Sequence, residues 1–440
     1  MKKRFAICST IVLLLLLSAC GAPQTLDFSY APEGEELSSL MVETSQTHRA
    51  ELEHVPSAAD FADAISDDPA SAGLLSENEV ESLLRGHAAM ETVSKEQAQS
   101  DVSLLFRTLQ SAYGAYEYFG QEKFDAAEDA VTQWLSSQND EIKVSALGEK
   151  LQESLAFMLA HDAHAVIYEP AAEEIEAQVR YEYFFADGFY FSKDVNGSYY
   201  MVNDGERWTL SSFSDEHVSV QPTLLQDGRI VYQPTLFALR KDAVQSSVTL
   251  KNSSGKAKIY RLDWTESQPL DVDLGTLDYR LIQEDGLTYV SLRSFVSGTY
   301  DNMLARYARE GAKARGSKAV IYDLRGNVGG SDSWPRKWIQ SFLGTQNSIE
   351  TSMLYAQKNS ALFAAENSES LLPEDEGTCF AREVHGTWYE NDIPIIVLVD
   401  DHCGSSGEGA VQLLKTLDNV LIVGSNTAGY QLCGNISTFT

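Results

Sequence analysis

Ile393-Pro394-Ile395-Ile396-Val397-Leu398-Val399 is an apolar, largely β-branched run of buried-strand length. After Asp400-Asp401-His402-Cys403 it gives way to Gly404-Ser405-Ser406-Gly407-Glu408 and then to helical composition as far as Leu417. Outward from this strand-turn-helix, the runs at 287–292, 319–324 and 420–423 have the same buried-strand character, and 301–314 reads as a helix between two of them. Strands alternating with helices predict an α/β layer with parallel elements, because parallel neighbours need a crossover long enough to hold a helix.

The whole chain has 440 residues, and at roughly 150 residues per domain that allows about three compact units. Its composition, 43% hydrophobic and 22% charged, is that of a folded protein and excludes collagen-like or wholly disordered classes. Acidic residues number 64 against 33 basic ones, a formal charge of -31, with no Lys/Arg stripe. Binding to nucleic acid through counterion release needs such a stripe, so nucleic acid is not expected as a partner.

At the N-terminus Lys2, Lys3 and Arg4 precede a short apolar run at 11–17 that ends in Leu17-Ser18-Ala19-Cys20. Such a run is too short to span a bilayer and reads as a signal peptide over 1–19. Cys20, directly after small residues, resembles a bacterial lipobox cysteine. That resemblance implies cleavage before Cys20 and diacylglycerol on its thiol. Acyl chains bury ~0.8 kcal/mol per methylene, so the expectation is a lipid-anchored protein on an extracytoplasmic face of the bacterial cell envelope. The other cysteines in the mature chain, Cys379, Cys403 and Cys433, are odd in number and lack metal-type spacing; one bridge plus a free thiol, or three free thiols, both fit.

Composition divides the rest. Residues 20–77, rich in Glu, Asp, Ser and Ala, read as an acidic flexible tether. Residues 78–168 show helical spacing, as at Val102, Leu105 and Leu109, and read as a helical N-terminal unit. Over 169–268 short aromatic runs are separated by Asp187-Gly188, Asn196-Gly197, Asp204-Gly205 and Asp227-Gly228, hairpin signals that predict a β-rich module. Residues 269–440 are the α/β core.

Three constellations carry chemistry. Asp323-Leu324-Arg325-Gly326-Asn327-Val328-Gly329-Gly330 follows a strand, and its glycine pair can present bare N–H groups to an oxyanion; a plain tight turn is the other reading. In Cys403 to Glu408 a small nucleophile would stand at the N-terminus of a helix, a geometry that suits acyl transfer, although Ser405 or Ser406 can equally serve as a helix cap. His161-Asp162-Ala163-His164 offers a base for such a nucleophile, with the two imidazoles spaced to share a helix face; a solvated His pair is the bland reading. His402, tied to the same turn as Ser405, ranks behind His164. No metal-ligand spacing is present, so neither metal nor cofactor is expected.

Together these segments, with Gly424-Ser425-Asn426-Thr427-Ala428-Gly429, resemble the C-terminal processing, or tail-specific, serine peptidase family, in particular its tricorn-core-like branch. The resemblance implies a crotonase- or ClpP-like α/β catalytic domain that hydrolyses protein or peptide substrates through an acyl-enzyme. It places Ser405 as nucleophile, the amides of Gly329 and Ser406 as the oxyanion hole, and His164 as general base, with Asp162 and Glu408 as the acidic candidates. Two departures stand out. Tyr430 occupies the position of the bacterial branch's catalytic Lys, and the chain stops in a strand-like 436–440 where the family continues, which suggests truncation. The β-rich module falls where many members insert a PDZ domain, yet lacks a clear carboxylate-binding loop, which implies a degenerate PDZ-like or unrelated module. A catalytically silent lipoprotein that binds peptides or a hydrophobic ligand in the same cleft, and acyl-CoA chemistry on the related crotonase fold, are the alternatives.

Overall fold

The computed structural model describes residues 37–86, 90–167, 181–186, 188–203, 205–225, 229–239, 246–266, 279–298 and 300–434. The leader at 1–19, Cys20 and the strand-like 436–440 lie outside the described residues. Among these residues no helix is long and apolar enough to cross a membrane. The fold is mixed α/β, and its contacts separate a β-rich unit, Glu182–Gln268, from a larger unit made of Met41–Tyr181 and Pro269–Thr440.

In the larger unit the apolar runs form a five-stranded sheet. Leu287–Ser291, Ala319–Asp323, Ile395–Val399 and Val420–Gly424 lie side by side and parallel, with Val320 opposite Ile395 and Ile395 opposite Val420. Arg280–Glu284 adds an antiparallel edge. The helices Asp301–Glu310, Ser333–Leu343 and Ser406–Leu414 supply the crossovers. Leu304, Tyr307, Val320, Tyr322, Trp338, Ile395 and Leu414 are all buried in one core, each large side chain contributing roughly 1.5–3 kcal/mol of burial. The parallel order follows from that burial: strands covered on both faces read as near-continuous apolar runs.

The helices Lys95–Ala112, Gln121–Ser137 and Val144–Ser154 pack Val102, Phe106, Phe124, Val131, Leu135 and Leu151 into a second core, which Cys433 from the far end of the chain also touches. The β-rich unit has two antiparallel sheets among its described residues. They share a core that includes Phe191, Trp208, Tyr232, Leu236, Val248 and Leu250. Gly197 turns the first hairpin with φ of +79°, a conformation glycine adopts without strain.

The tether expected over 20–77 is corrected for its described part. Leu37–Glu53 is a helix, and Met41, Ser45, His48 and Leu52, one stripe at helical spacing, are buried. Ser45 Oγ accepts from the Asn419 amide at 3.0 Å, Glu51 pairs with Lys415, and further on the Asp68 amide donates to Gly377 O at 2.8 Å. The segment is strapped to the α/β domain by polar groups, so composition alone reads it as solvated.

Within this strap burial, reinforced by the Lys415 ammonium and opposed by the Glu51 carboxylate, pushes the His48 imidazole down to about 4. Because the folded state binds this proton less readily than the unfolded one, stability is full above the ordinary imidazole range near 6.5. It falls by about 3 kcal/mol as pH drops from there through 4. Deuterium uptake by amides 41–52 is therefore expected to rise between pH 7 and pH 5, and His48→Leu should flatten that dependence. Uptake independent of pH in the unaltered chain would contradict the burial of a neutral imidazole.

Candidate active site

Ser405 stands between the strand Ile395–Val399 and the helix Ser406–Leu414, with φ of 52° and ψ of -122°. A non-glycine residue there stores backbone strain of about 1–3 kcal/mol and persists only where its surroundings dictate it. They do so from three sides. The Gly404 amide donates to Asn327 O at 2.9 Å, the Gly407 amide to Gly404 O at 2.8 Å, and the Ala428 amide to Cys403 O at 2.9 Å. The neighbouring Cys403 is buried, and that burial, with Glu408 and Asp400 nearby, pushes its thiol well above the ordinary range. Cys403 therefore stays protonated and does not compete as a nucleophile.

The glycine loop lies directly on this turn. A Cβ at Gly329, whose φ is +103°, would come within 2.6 Å of Ser405 Cβ and 2.9 Å of the Ser406 nitrogen. At Gly330 it would meet the Phe295 backbone at 2.1 Å. Ser406 Oγ donates to Gly330 O at 2.8 Å, closing the contact. One expectation needs correction: the Gly329 amide donates to Asn327 Oδ1 at 2.9 Å, so it is already engaged. Among the described residues the Ser406 and Gly330 amides have no protein acceptor, as the first turn of a helix and a one-sided bridge leave them. Asn327 was an unassigned letter in the motif. Fully buried, it ties its loop to Leu292 O at 2.8 Å and to the Gly404 amide through its carbonyl.

The acidic and basic letters of that motif hold each other. Asp323 is buried and accepts from Arg325 Nε at 2.9 Å and Nη2 at 2.8 Å, and from Tyr289 OH at 2.7 Å. Burial alone would raise its pKa, but the Arg325 and Tyr289 bonds outweigh it and hold the carboxyl below the ordinary range. The pair fixes the loop's entry and leaves anion contacts to the amides.

Glu408 is likewise buried. Its Oε1 accepts from Thr427 Oγ1 at 2.6 Å and the Gly429 amide at 2.7 Å. Its Oε2 accepts from the amides of Ser405 at 3.2 Å and Tyr430 at 2.8 Å and from Gln431 Nε2 at 3.4 Å. Glu408, a candidate acid in the sequence, thus clamps the Ser405 turn to residues 427–431.

The 161–164 segment follows the helix Ala156–Leu159 as a turn, so the two imidazoles have different neighbours. His161 lies 6.2 Å from the Phe119 ring, and His164 lies 4.5 Å from the Tyr430 ring, edge-on. The same Tyr430 ring covers Gly404, where a Cβ would meet it at 2.6 Å. His164 and the Ser405 turn thus share one corner, with Tyr430 between them. His164 Nδ1 is buried without a protein partner. The buried Asp162 accepts the His164 backbone amide at 3.0 Å and Tyr113 OH at 2.8 Å. It holds the segment, while no bond from its carboxylate to the imidazole is present. Burial and then Asp162 push the Cys433 thiol up to about 12. Cys379, Cys403 and Cys433 are all free. His402 Nδ1 lies 3.0 Å from Asp401 Oδ1, within its own turn, without a hydrogen bond of acceptable geometry.

Residues 286–439 match the model of peptidase family S41. No curated protein matches the chain at a significant level. Among solved structures, a photosystem II D1 C-terminal processing protease is similar at 14% identity, over 76% of this chain and 82% of that one, with a TM-score of 0.30. The matched segment spans the parallel sheet, the glycine loop and the Ser405 turn; over these residues the chain is similar to peptidase family S41, and it is a serine peptidase.

Proposed function

We propose that this peptidase hydrolyses peptide bonds through an acyl-enzyme on Ser405. The observation that carries the reading is the strained Ser405 backbone at φ of 52°, on a strand-to-helix turn pinned by the glycine loop and the 427–431 clamp. A side chain held in that way is lifted from the surface, and the helix N-terminus directs N–H groups at the oxygen that becomes negative. The Ser406 amide serves as an oxyanion donor. The Gly329 amide contributes only by sharing its hydrogen with Asn327, and the unengaged Gly330 amide belongs to the same loop. His164 takes the proton from Ser405 and returns it to the leaving amine, with Asp162 and Tyr113 fixing its main chain rather than its ring.

A crotonase- or ClpP-like classification of the catalytic layer, a PDZ-like role for the β-rich unit, and envelope anchoring through lipidated Cys20 belong to this proposal. They are supported by the parallel sheet order, by the module's place in the chain, and by Leu17-Ser18-Ala19-Cys20.

The Tyr430 ring packed over Gly404 favours the second reading, a silent cleft that binds peptides. A fluorophosphonate probe separates the two. Stoichiometric labelling located at Ser405 is expected; failure to label a folded chain, or labelling at another residue, would favour the binder.

A further inference from the structure

The geometry points to a divalent-cation site behind the nucleophile turn, formed by Asp400, Asp401 and His402. Asp400 Oδ2, Asp401 Oδ1 and His402 Nδ1 lie within 4.8 Å of one another. All three atoms are shielded from solvent and lack a hydrogen-bond partner of acceptable geometry. The informative member is Asp400. Its side chain is 4% exposed, and its Oδ1 accepts the Gly326 amide at 2.8 Å and the His402 amide at 3.2 Å. Oδ2, turned toward the imidazole, has nothing. A buried carboxylate oxygen without a donor is costly unless something cationic meets it. The Arg325 guanidinium, which feels the Asp400 charge, is committed to Asp323.

The spacing fits a small ion. His402 Nδ1 is 3.0 Å from Asp401 Oδ1 and 4.0 Å from Asp400 Oδ2. Ligand bonds of about 2.0–2.2 Å put the ligand atoms of a tetrahedral ion roughly 3.3 to 3.6 Å apart, between these two distances. One imidazole and two carboxylates select zinc or another borderline transition ion over calcium or magnesium, which prefer all-oxygen shells. The three ligands are consecutive, so further positions are left to water. The consequence is mechanical. Asp400 already ties the turn to the glycine loop through Gly326, and a cation on Oδ2 would lock His402, and with it the entry to Ser405, into the same frame. The site is independent of the acyl-enzyme reading.

The test uses the full chain freed of metal by a chelator and titrated calorimetrically with zinc, with calcium and magnesium as controls. One equivalent of zinc per chain is expected, with a rise in melting temperature and no response to calcium or magnesium. His402→Ala and Asp401→Ala, whose side chains are partly exposed and should leave the fold intact, should each weaken zinc binding by about a hundredfold or more. Absence of saturable zinc binding would overturn the site. So would zinc binding unchanged in both variants, or an equal response to calcium.

Discussion

Ser405→Ala is expected to remove about six orders of magnitude of turnover, to the residual rate that positioning and oxyanion contacts sustain in serine peptidases stripped of their nucleophile. The fold should survive. The amides of Gly404, Gly407 and Ala428 that pin the turn are main-chain groups, and none depends on the Ser405 hydroxyl. Alanine meets the same positive φ with the same Cβ, so the strain is retained and the melting temperature should move by no more than a few degrees. Turnover of a peptide substrate and thermal unfolding, measured on one preparation, check both halves. Activity within tenfold of the unaltered chain would move the nucleophile elsewhere, and His164→Ala would then lose its meaning as a test of the base.

The second large effect belongs to Glu408→Ala. Five protein donors converge on this carboxylate: Thr427 Oγ1, Gln431 Nε2 and the amides of Ser405, Gly429 and Tyr430. Hydrogen bonds to a charged group are worth about 1.5–3 kcal/mol each and do not add, and stripping one partner from a buried charged cluster costs about 3–5 kcal/mol. At roughly 2–4 °C per kcal/mol for a domain of this size, the unfolding midpoint should drop by about 10 °C. Turnover should fall by about a hundredfold or more, because the Ser405 amide and the Tyr430 ring lose their common anchor. A clamp changes stability and rate together and leaves the pH profile of the remaining activity in place. Lost activity with an unchanged midpoint and a displaced acidic limb would instead make Glu408 a proton carrier.

The corner was partly legible in advance. Residues 393–417 could be read because a β-branched run, a small-residue turn and a helical run are local signals. The convergence on Glu408 was not, because Thr427, Gly429 and Tyr430 reach it from about twenty residues downstream, and their amides carry no sequence signature. The same limit explains the Gly329 amide. The glycine pair was visible, but the acceptor that takes its hydrogen is the Asn327 side chain two residues before it. The strap at 37–53 escaped for a different reason. Two of its four buried stripe positions are Ser45 and His48, so its periodicity lies in burial and not in hydrophobicity. His161 and His164 were spaced for one helix face, but the helix ends at Leu159 and the turn gives them different neighbours.

The central chemical claim is a covalent bond between Ser405 Oγ and the acyl half of the substrate. Rapid acid quenching during turnover of an activated ester, followed by mass spectrometry of the digested chain, measures it directly. The mass of one acyl group on the fragment that carries Ser405, accumulating in a burst and absent from Ser405→Ala, is the predicted result. Steady turnover with no acylated fragment, or with the acyl group on any other residue, would contradict it.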